Sequence, residues 1–282
     1  MSDRISLHGI AETTGTSLAC KPFTFSGGEP HVHLDPQAIE NHCLWVDARL
    51  GSAEGFMHLL AVLDAVRGCR PRWLGLFLPY FPGARQDRRQ PGTPFTLKIY
   101  AEAIRRASLD TVVTLDPHSD VLAACLDVEI IPAHAVMTGM ADYAGWICPD
   151  AGAEKRVHEA ARVLGQARVV HGRKIRDTAT GKLSGFQCDA LPTAGNYLVV
   201  DDICDGGGTF LGLADAIERH GLSLDLWVTH GIFSRGLDEL MKRFRFIHTT
   251  DSFPFSVMAS ERLIVHEVHA LAEERMRRRL AQ

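Results

Sequence analysis

Two segments of the 282-residue chain hold side chains whose types and spacing suit phosphate chemistry. Leu198 to Thr209 reads LVVDDICDGGGT: an apolar stretch, two adjacent carboxylates, a third at Asp205, three glycines and a hydroxyl. Gly206, Gly207 and Gly208 let backbone N–H groups turn toward an anion with no Cβ in the way. A helix beginning at Thr209 adds the positive end of its dipole, and the Thr209 hydroxyl has a proton for a phosphate oxygen. Asp201 and Asp202 can hold ribose hydroxyls or a metal ion. The second segment, Pro79 to Arg89, reads PYFPGARQDRR. Arg85 offers a planar fork for phosphate oxygens or for stacking on a base. Gln86 carries an amide that can pair with a base edge.

These groups must be presented by a frame, and the chain supplies an alternating one. Helical spacing predicts helices over Gly55–Val66, Phe95–Ala107, Glu154–Leu164 and Thr209–Arg219. Apolar runs predict buried strands over Trp73–Leu78, Thr111–Leu115, Tyr143–Cys148, Ala167–Val170, Leu198–Val200 and Leu224–His230. The alternation implies an α/β fold with mostly parallel sheets flanked by helices. The length suits two such domains, 1–135 and 136–282, with a boundary near Ala133 to Met140. Ser260 to Gln282 reads as one last helix, with Ile264, Val268 and Leu271 in register, placed to pack on the N-terminal domain. Ile5 to Ala19 is poor in apolar periodicity, and a shortened first strand is expected there. The polar clusters follow the strands, at Pro79-Tyr80, Asp116-Pro117-His118, Pro149-Asp150 and Asp201 to Thr209. Ligands of open α/β sheets bind at those strand ends.

Composition removes other classes. Lys plus Arg is 30, Asp plus Glu is 34 and the formal charge is -4, without the basic excess of a nucleic-acid binder. Seven cysteines, none at C-x-x-C spacing, argue against a disulfide framework and a zinc knuckle. Free thiols point to a reducing cytoplasm. No apolar run approaches a membrane span, and no signal peptide is expected from MSDRISLHGI.

Leu198 to Thr209 resembles the ribose-phosphate loop of the type I phosphoribosyltransferase superfamily. Pro79 to Arg89 is similar to the P-Y-x-x-x-A-R-Q-D-R motif of phosphoribosyl pyrophosphate synthetases, matched at Pro79, Tyr80, Ala84, Arg85, Gln86, Asp87 and Arg88. Further likenesses follow in the same order. Phe25-Ser26-Gly27-Gly28-Glu29 resembles F-x-D-G-E, with Gly27 in place of the usual aspartate. Leu115-Asp116-Pro117-His118 resembles the D-L-H segment, and Pro149-Asp150-Ala151-Gly152 resembles P-D-x-G. His171 to Gly185 resembles the catalytic flexible loop, with Lys174 and Arg176 at its basic positions. The resemblance spans roughly Phe23 to Phe255.

That resemblance implies two tandem type I phosphoribosyltransferase-like domains and pyrophosphoryl transfer from Mg-ATP to the anomeric hydroxyl of ribose 5-phosphate, giving phosphoribosyl pyrophosphate and AMP. It implies ATP contacts at Arg85, Gln86, Asp87, Phe25, Glu29 and His118. It assigns the ribose phosphate to Asp201, Asp202, Asp205, Gly206, Gly207, Gly208 and Thr209. Mg²⁺ falls to His118 and Asp150, and catalysis to Lys174 and Arg176. A homodimer or hexamer in the cytoplasm is expected, with no nucleic-acid or membrane partner. The open triple glycine leaves a substituted acceptor such as ADP-ribose as an alternative. A transferase that consumes the product and a non-catalytic regulatory paralogue are two more.

Overall fold

In the computed structural model of the chain, the buried apolar runs build two main sheets of six and seven strands. The structure describes residues 3–10, 17–140, 142–176, 183–191, 194–217, 221–255 and 260–282, with backbone alone at 176, 183 and 184. Two compact units result. Unit 1 comprises Met1–Ile131, Ser252–Pro254 and Val268–Gln282, and unit 2 comprises Pro132–Asp251 and Phe255–Glu267.

In unit 1 the elements are β1 (Arg4–Gly9), β2 (Ser17–Leu18), β3 (Phe23–Thr24), β4 (Pro30–His31), β5 (Cys43–Arg49), α1 (Ala53–Gly68), β6 (Trp73–Phe77), α2 (Thr96–Arg106), β7 (Thr111–Leu115), α3 (Val121–Cys125) and β8 (Glu129–Ile131). The sheet order is β2-β1-β5-β6-β7-β8. The pairs from β5 to β8 are parallel. Strand alternation divides the side chains between two faces. Leu44, Val46, Ala48, Leu74 and Leu76 share a core with Phe56, Leu59, Val62 and Leu63 of α1 and Leu97, Ala101 and Ile104 of α2. Ser52 caps α1 by accepting from the Gly55 N–H at 2.9 Å. Asp3 holds that cap through the Ser52 hydroxyl and the Gly51 N–H.

The N-terminal stretch differs from expectation. β1 pairs antiparallel with β5 along its whole length, from Arg4↔Arg49 to Gly9↔Leu44. Ile5 and Leu7 are buried at period two, a signal too short to stand out in sequence. The chain's end differs too. Leu263–His266 is a strand, and the helix covers only His269–Leu280. Ile264, Val268 and Leu271 fit helical spacing, but Ile264 sits on an edge strand that pairs in parallel with Ile247–Thr250.

The C-terminal helix belongs to unit 1. Its Met276 and Ala272 are fully buried. Met276 fills the space that a side chain at Gly75 would take, since a Cβ there would lie 2.7 Å from its sulfur. At its start, His269 Nδ1 lies 3.2 Å from Asp47 Oδ2. The His269 ring also packs at 5.0 Å from Trp45 and 4.8 Å from His8. Arg49, itself buried, donates to both Asp47 oxygens at 2.7 and 2.9 Å. Burial alone would raise the Asp47 pKa; the hydrogen bonds from Arg49 and His269 outweigh it and bring it to about 2. His8, Asp47 and His269 are thus a closed polar anchor, with Arg49 already on the carboxylate.

Unit 2 comprises β9 (Gly145–Cys148), α4 (Glu154–Leu164), β10 (Val169–Arg176), β11 (Leu183–Cys188), β12 (Gly195–Cys204), α5 (Gly208–Ala216), β13 (Leu222–Gly231), α6 (Asp238–Met241), β14 (Ile247–Thr250) and β15 (Leu263–His266). The order is β11-β10-β9-β12-β13-β14-β15, antiparallel only between β10 and β11. Phe210, Leu213 and Ala214 of α5 pack on Tyr197, Val199, Leu224 and Leu226. All seven cysteines are free.

Candidate active site

The ribose-phosphate segment is built by β12. Tyr197 to Val200 are completely buried, so the strand is fixed in the sheet and delivers Asp201 and Asp202 at its carboxyl end. The strand runs farther than its apolar run suggests, to Cys204, because Asp201 and Ile203 keep register with Val228 and His230 of β13. Asp202 is 3% exposed, and its N–H donates to Asp201 Oδ1 at 2.9 Å. Burial first, and then the charge of Asp202, push the Asp201 carboxyl well above the usual carboxylate range.

The turn that follows is pinned through its carbonyls. Cys204 O accepts from Ile232 N and Phe233 N at 2.9 and 3.0 Å, and Asp205 O accepts from Ser234 N at 3.1 Å. Gly207 has φ 77° and precedes α5 with no side-chain cap. That left-handed geometry is strained for other residues, and a Cβ there would also press on Leu240 at 3.2 Å. Gly208 is exposed with open space around it. Asp205, Gly206 and Thr209 are half-buried beside it. The uncapped N-terminus of a nine-residue helix, next to two carboxylates, can hold an anion and polyhydroxyl sugar together.

Asp150 follows β9. Its Oδ1 accepts from the Gly152 N–H at 2.9 Å, and its Oδ2 pairs with Lys174 Nζ at 2.5 Å. Lys174 sits on β10, opposite Phe186 of β11. Phe186 lies on α5 at Gly212, where a Cβ would come within 2.1 Å of its ring. The arm bearing Lys174 is therefore seated against the helix that follows the glycine loop. Arg176 ends β10; its side chain, and residues 177–182 of the expected flexible loop, lie outside the described residues.

In unit 1 the segment after β6 and the segment after β7 are joined at their roots. Thr114 Oγ1 donates to Leu78 O and Pro79 O at 2.8 and 3.2 Å, and Leu115 N donates to Pro79 O at 3.1 Å. Above them opens a cleft of about 560 Å³ lined by Arg85, Gln86, Asp87, Arg88, Gln90, Thr93, Pro94 and His118. Arg85 and Gln86 are exposed, while Asp87 is buried with Arg88 Nε at 3.3 Å. Gln86 O accepts from Leu97 N, holding the loop to the start of α2. Arg85, Gln86, Asp87 and His118 thus share one cavity.

Phe25 and Glu29 do not line this cleft. They close the β3–β4 hairpin, with Phe25 N donating to Glu29 O at 2.9 Å. Phe25 is 51% exposed, and its ring rests on Phe23 and His31. The two expected metal ligands belong to different units, His118 to unit 1 and Asp150 to unit 2.

Arg156 escaped the sequence reading, and Asp116 entered it only within the Asp116-Pro117-His118 cluster. Arg156, in the first turn of α4, points at both members of the carboxylate pair, 3.8 Å from Asp201 and 3.5 Å from Asp202. Asp116, after β7, is buried with φ 38°. Arg156 shares a helix face with the buried Val157 and Ala160, which is the one local sign that it points inward. Asp116 directly precedes Pro117-His118 and sits at a strand end, the position where site residues gather.

No protein-family profile matches the chain. A ribose-phosphate pyrophosphokinase of Hyphomonas neptunium is 30% identical over 231 residues, covering 78% of this chain and 74% of that protein. One of Brucella melitensis is 34% identical over 197 residues, 64% of this chain and 61% of that protein. The crystal structure of phosphoribosylpyrophosphate synthetase from Mycobacterium smegmatis superposes with a TM-score of 0.82, covering 94% of this chain and 91% of that one at 22% identity, so the fold is shared. With β12 and its glycine turn, the R-Q-D-R cleft and these relatives in place, the chain belongs to the ribose-phosphate pyrophosphokinase family.

Proposed function

We propose that the chain transfers the pyrophosphoryl group of ATP to the anomeric hydroxyl of ribose 5-phosphate, releasing AMP. The observation that carries this is β12 running its two carboxylates straight into an uncapped glycine helix start. The 5-phosphate binds the N–H groups and hydroxyl of Gly206 to Thr209, with Asp205 beside them. Asp201 and Asp202 accept from the sugar's vicinal hydroxyls. The anomeric oxygen attacks the β-phosphorus, the bond from β-phosphorus to the α,β-bridging oxygen breaks, and that oxygen leaves on AMP with the electron pair. The hydroxyl proton passes to solvent. Positioning and charge neutralisation carry such a transfer, so no strong protein base is needed.

Arg85 and Gln86 suit the triphosphate and the base, and Asp87, held by Arg88, fixes their loop. Lys174, and Arg176 two residues on, supply positive charge to the group in flight. Phe25 and Glu29, outside that cleft, supply an aromatic and acidic contact to the adenine bound by a neighbouring subunit. Asp150 of unit 2 is a hard oxygen donor at a strand end and suits Mg²⁺, and His118 is proposed as a Mg²⁺ ligand in the unit 1 cleft. The ion supplies charge neutralisation on the phosphates. We place the enzyme in the cytoplasm as a dimer or hexamer; no described helix is long and apolar enough to cross a membrane.

The relatives' names give plain ribose phosphate as acceptor, and the substituted acceptor is not favoured. A chromatographic assay of AMP release from Mg-ATP decides between them. Release with ribose 5-phosphate at a rate well above that with ADP-ribose is expected. Release with ADP-ribose alone would overturn the acceptor assignment. Light scattering across a concentration series tests the assembly, with a monomer at every concentration as the contrary result.

A further inference from the structure

Two adjacent carboxylates at the end of a buried strand repel each other. Left to themselves, such a pair takes up a proton on one member and loses half its capacity to accept. Among the described residues, the cation set against both is Arg156. Its Nη1 lies 3.8 Å from Asp201 Oδ1 and its Nη2 3.5 Å from Asp202 Oδ2. The Arg156 side chain is 13% exposed, and the side chains of Asp201 and Asp202 are 15% and 5% exposed. One nitrogen faces each carboxylate, which is what a planar fork can do and a single ammonium cannot. The distances are those of charge contacts rather than tight hydrogen bonds.

We propose that Arg156 is a positioning residue for the acceptor, spanning Asp201 and Asp202 so that both present lone pairs to the vicinal hydroxyls of the sugar. This rests on the ribose 5-phosphate reading of the site. Arg156 touches neither substrate; it sets the spacing and charge of the pair that does. The groups facing Asp201 fit the assignment. Asp202 beside it on β12, Cys204 farther along and Cys148 on β9 are anionic or neutral, and Arg156 on α4 is the cation that lowers its proton affinity.

The test compares the wild-type chain with Arg156→Gln and Arg156→Lys. In Arg156→Gln the KM for ribose 5-phosphate should rise about ten-fold or more while the KM for ATP stays within about two-fold. The acid limb of kcat/KM for ribose 5-phosphate should move to higher pH. Arg156→Lys should bring the acid limb back toward wild type and leave the acceptor KM high, because it restores charge without the fork. An unchanged acceptor KM in Arg156→Gln, an equal rise in both KM values, or full rescue by lysine would overturn the assignment. Carboxyl-carbon NMR of the aspartates reads the same pair without turnover. The upper titration step should move to higher pH in Arg156→Gln, and identical titrations would also overturn it. A wild-type chain that releases no AMP with ribose 5-phosphate would instead sink the proposed reaction, with the NMR comparison still deciding Arg156.

Discussion

Lys174 is half-buried and its ammonium rests on Asp150 at 2.5 Å, so it contributes little packing and one partly solvated ion pair. Partly exposed pairs of this kind stabilise a fold by about 1 kcal/mol or less. Lys174→Ala should therefore keep its thermal midpoint within a few degrees while kcat falls by about two to three orders of magnitude, the usual effect of losing one charge-stabilising donor. Steady-state kinetics beside a melting curve checks both halves; near-normal turnover would remove the arm from the chemistry. At Asp47 the expected signature is a pH profile. Its lowered pKa makes the ionised form stabilising above about pH 3.8, and that contribution fades as pH falls through about 2. His269 is raised by its hydrogen bond to Asp47, so its contribution is complete below its ordinary value and fades as pH rises through the higher folded one. The gap in melting midpoint between wild type and Asp47→Asn should thus be widest near about pH 4 to 6 and narrow on both sides. A gap that stays constant from about pH 2 to about pH 8 would contradict the anchor.

The elements that hold the site depend on close approaches. Phe186 reaches α5 because residue 212 is glycine, and any side chain there meets the ring. Gly212→Val should displace the β10–β11 arm and lower kcat while leaving ATP binding, measured by calorimetry, within about two-fold, since the R-Q-D-R cleft is in unit 1. Equal loss of ATP affinity would mean the whole chain had been disturbed. What the sequence disclosed follows the same division. The apolar runs of β6, β7, β9 and β13 were legible because strands buried on both faces need no polar alternation. So were the polar clusters at their ends, Arg85 with His118 and Asp201 with Thr209. β1 and β15 were not legible. β1 takes its stability from β5, some forty positions away in sequence, and β15 from β14. Such pairing leaves little trace in a local window. Arg156 stayed hidden for the same reason, its partners being distant in sequence from α4.

At the scale of the molecule, the chain starts unit 1, builds unit 2 and returns to complete unit 1 with the C-terminal helix. That helix buries Ala272 and Met276 fully against the unit 1 sheet and carries His269 to Asp47. Arg275 and Arg279 bind Glu129 of β8 at 3.3 and 2.6 Å. A chain ending at Glu267 should lose several kcal/mol, since burial of Met276 alone accounts for about 2 kcal/mol and Asp47 is left without its histidine. Differential scanning calorimetry should show the unit 1 transition shifted down by more than about ten degrees; an unchanged profile would mean the helix is dispensable. The central claim, that a pyrophosphoryl group moves as one piece to the sugar, has a direct test in phosphorus NMR of the products from Mg-ATP and ribose 5-phosphate. The expected spectrum shows AMP and a sugar bearing two linked phosphates on its anomeric carbon, in equal amounts. ADP beside a sugar with a single added phosphate, or ADP beside orthophosphate, would contradict it.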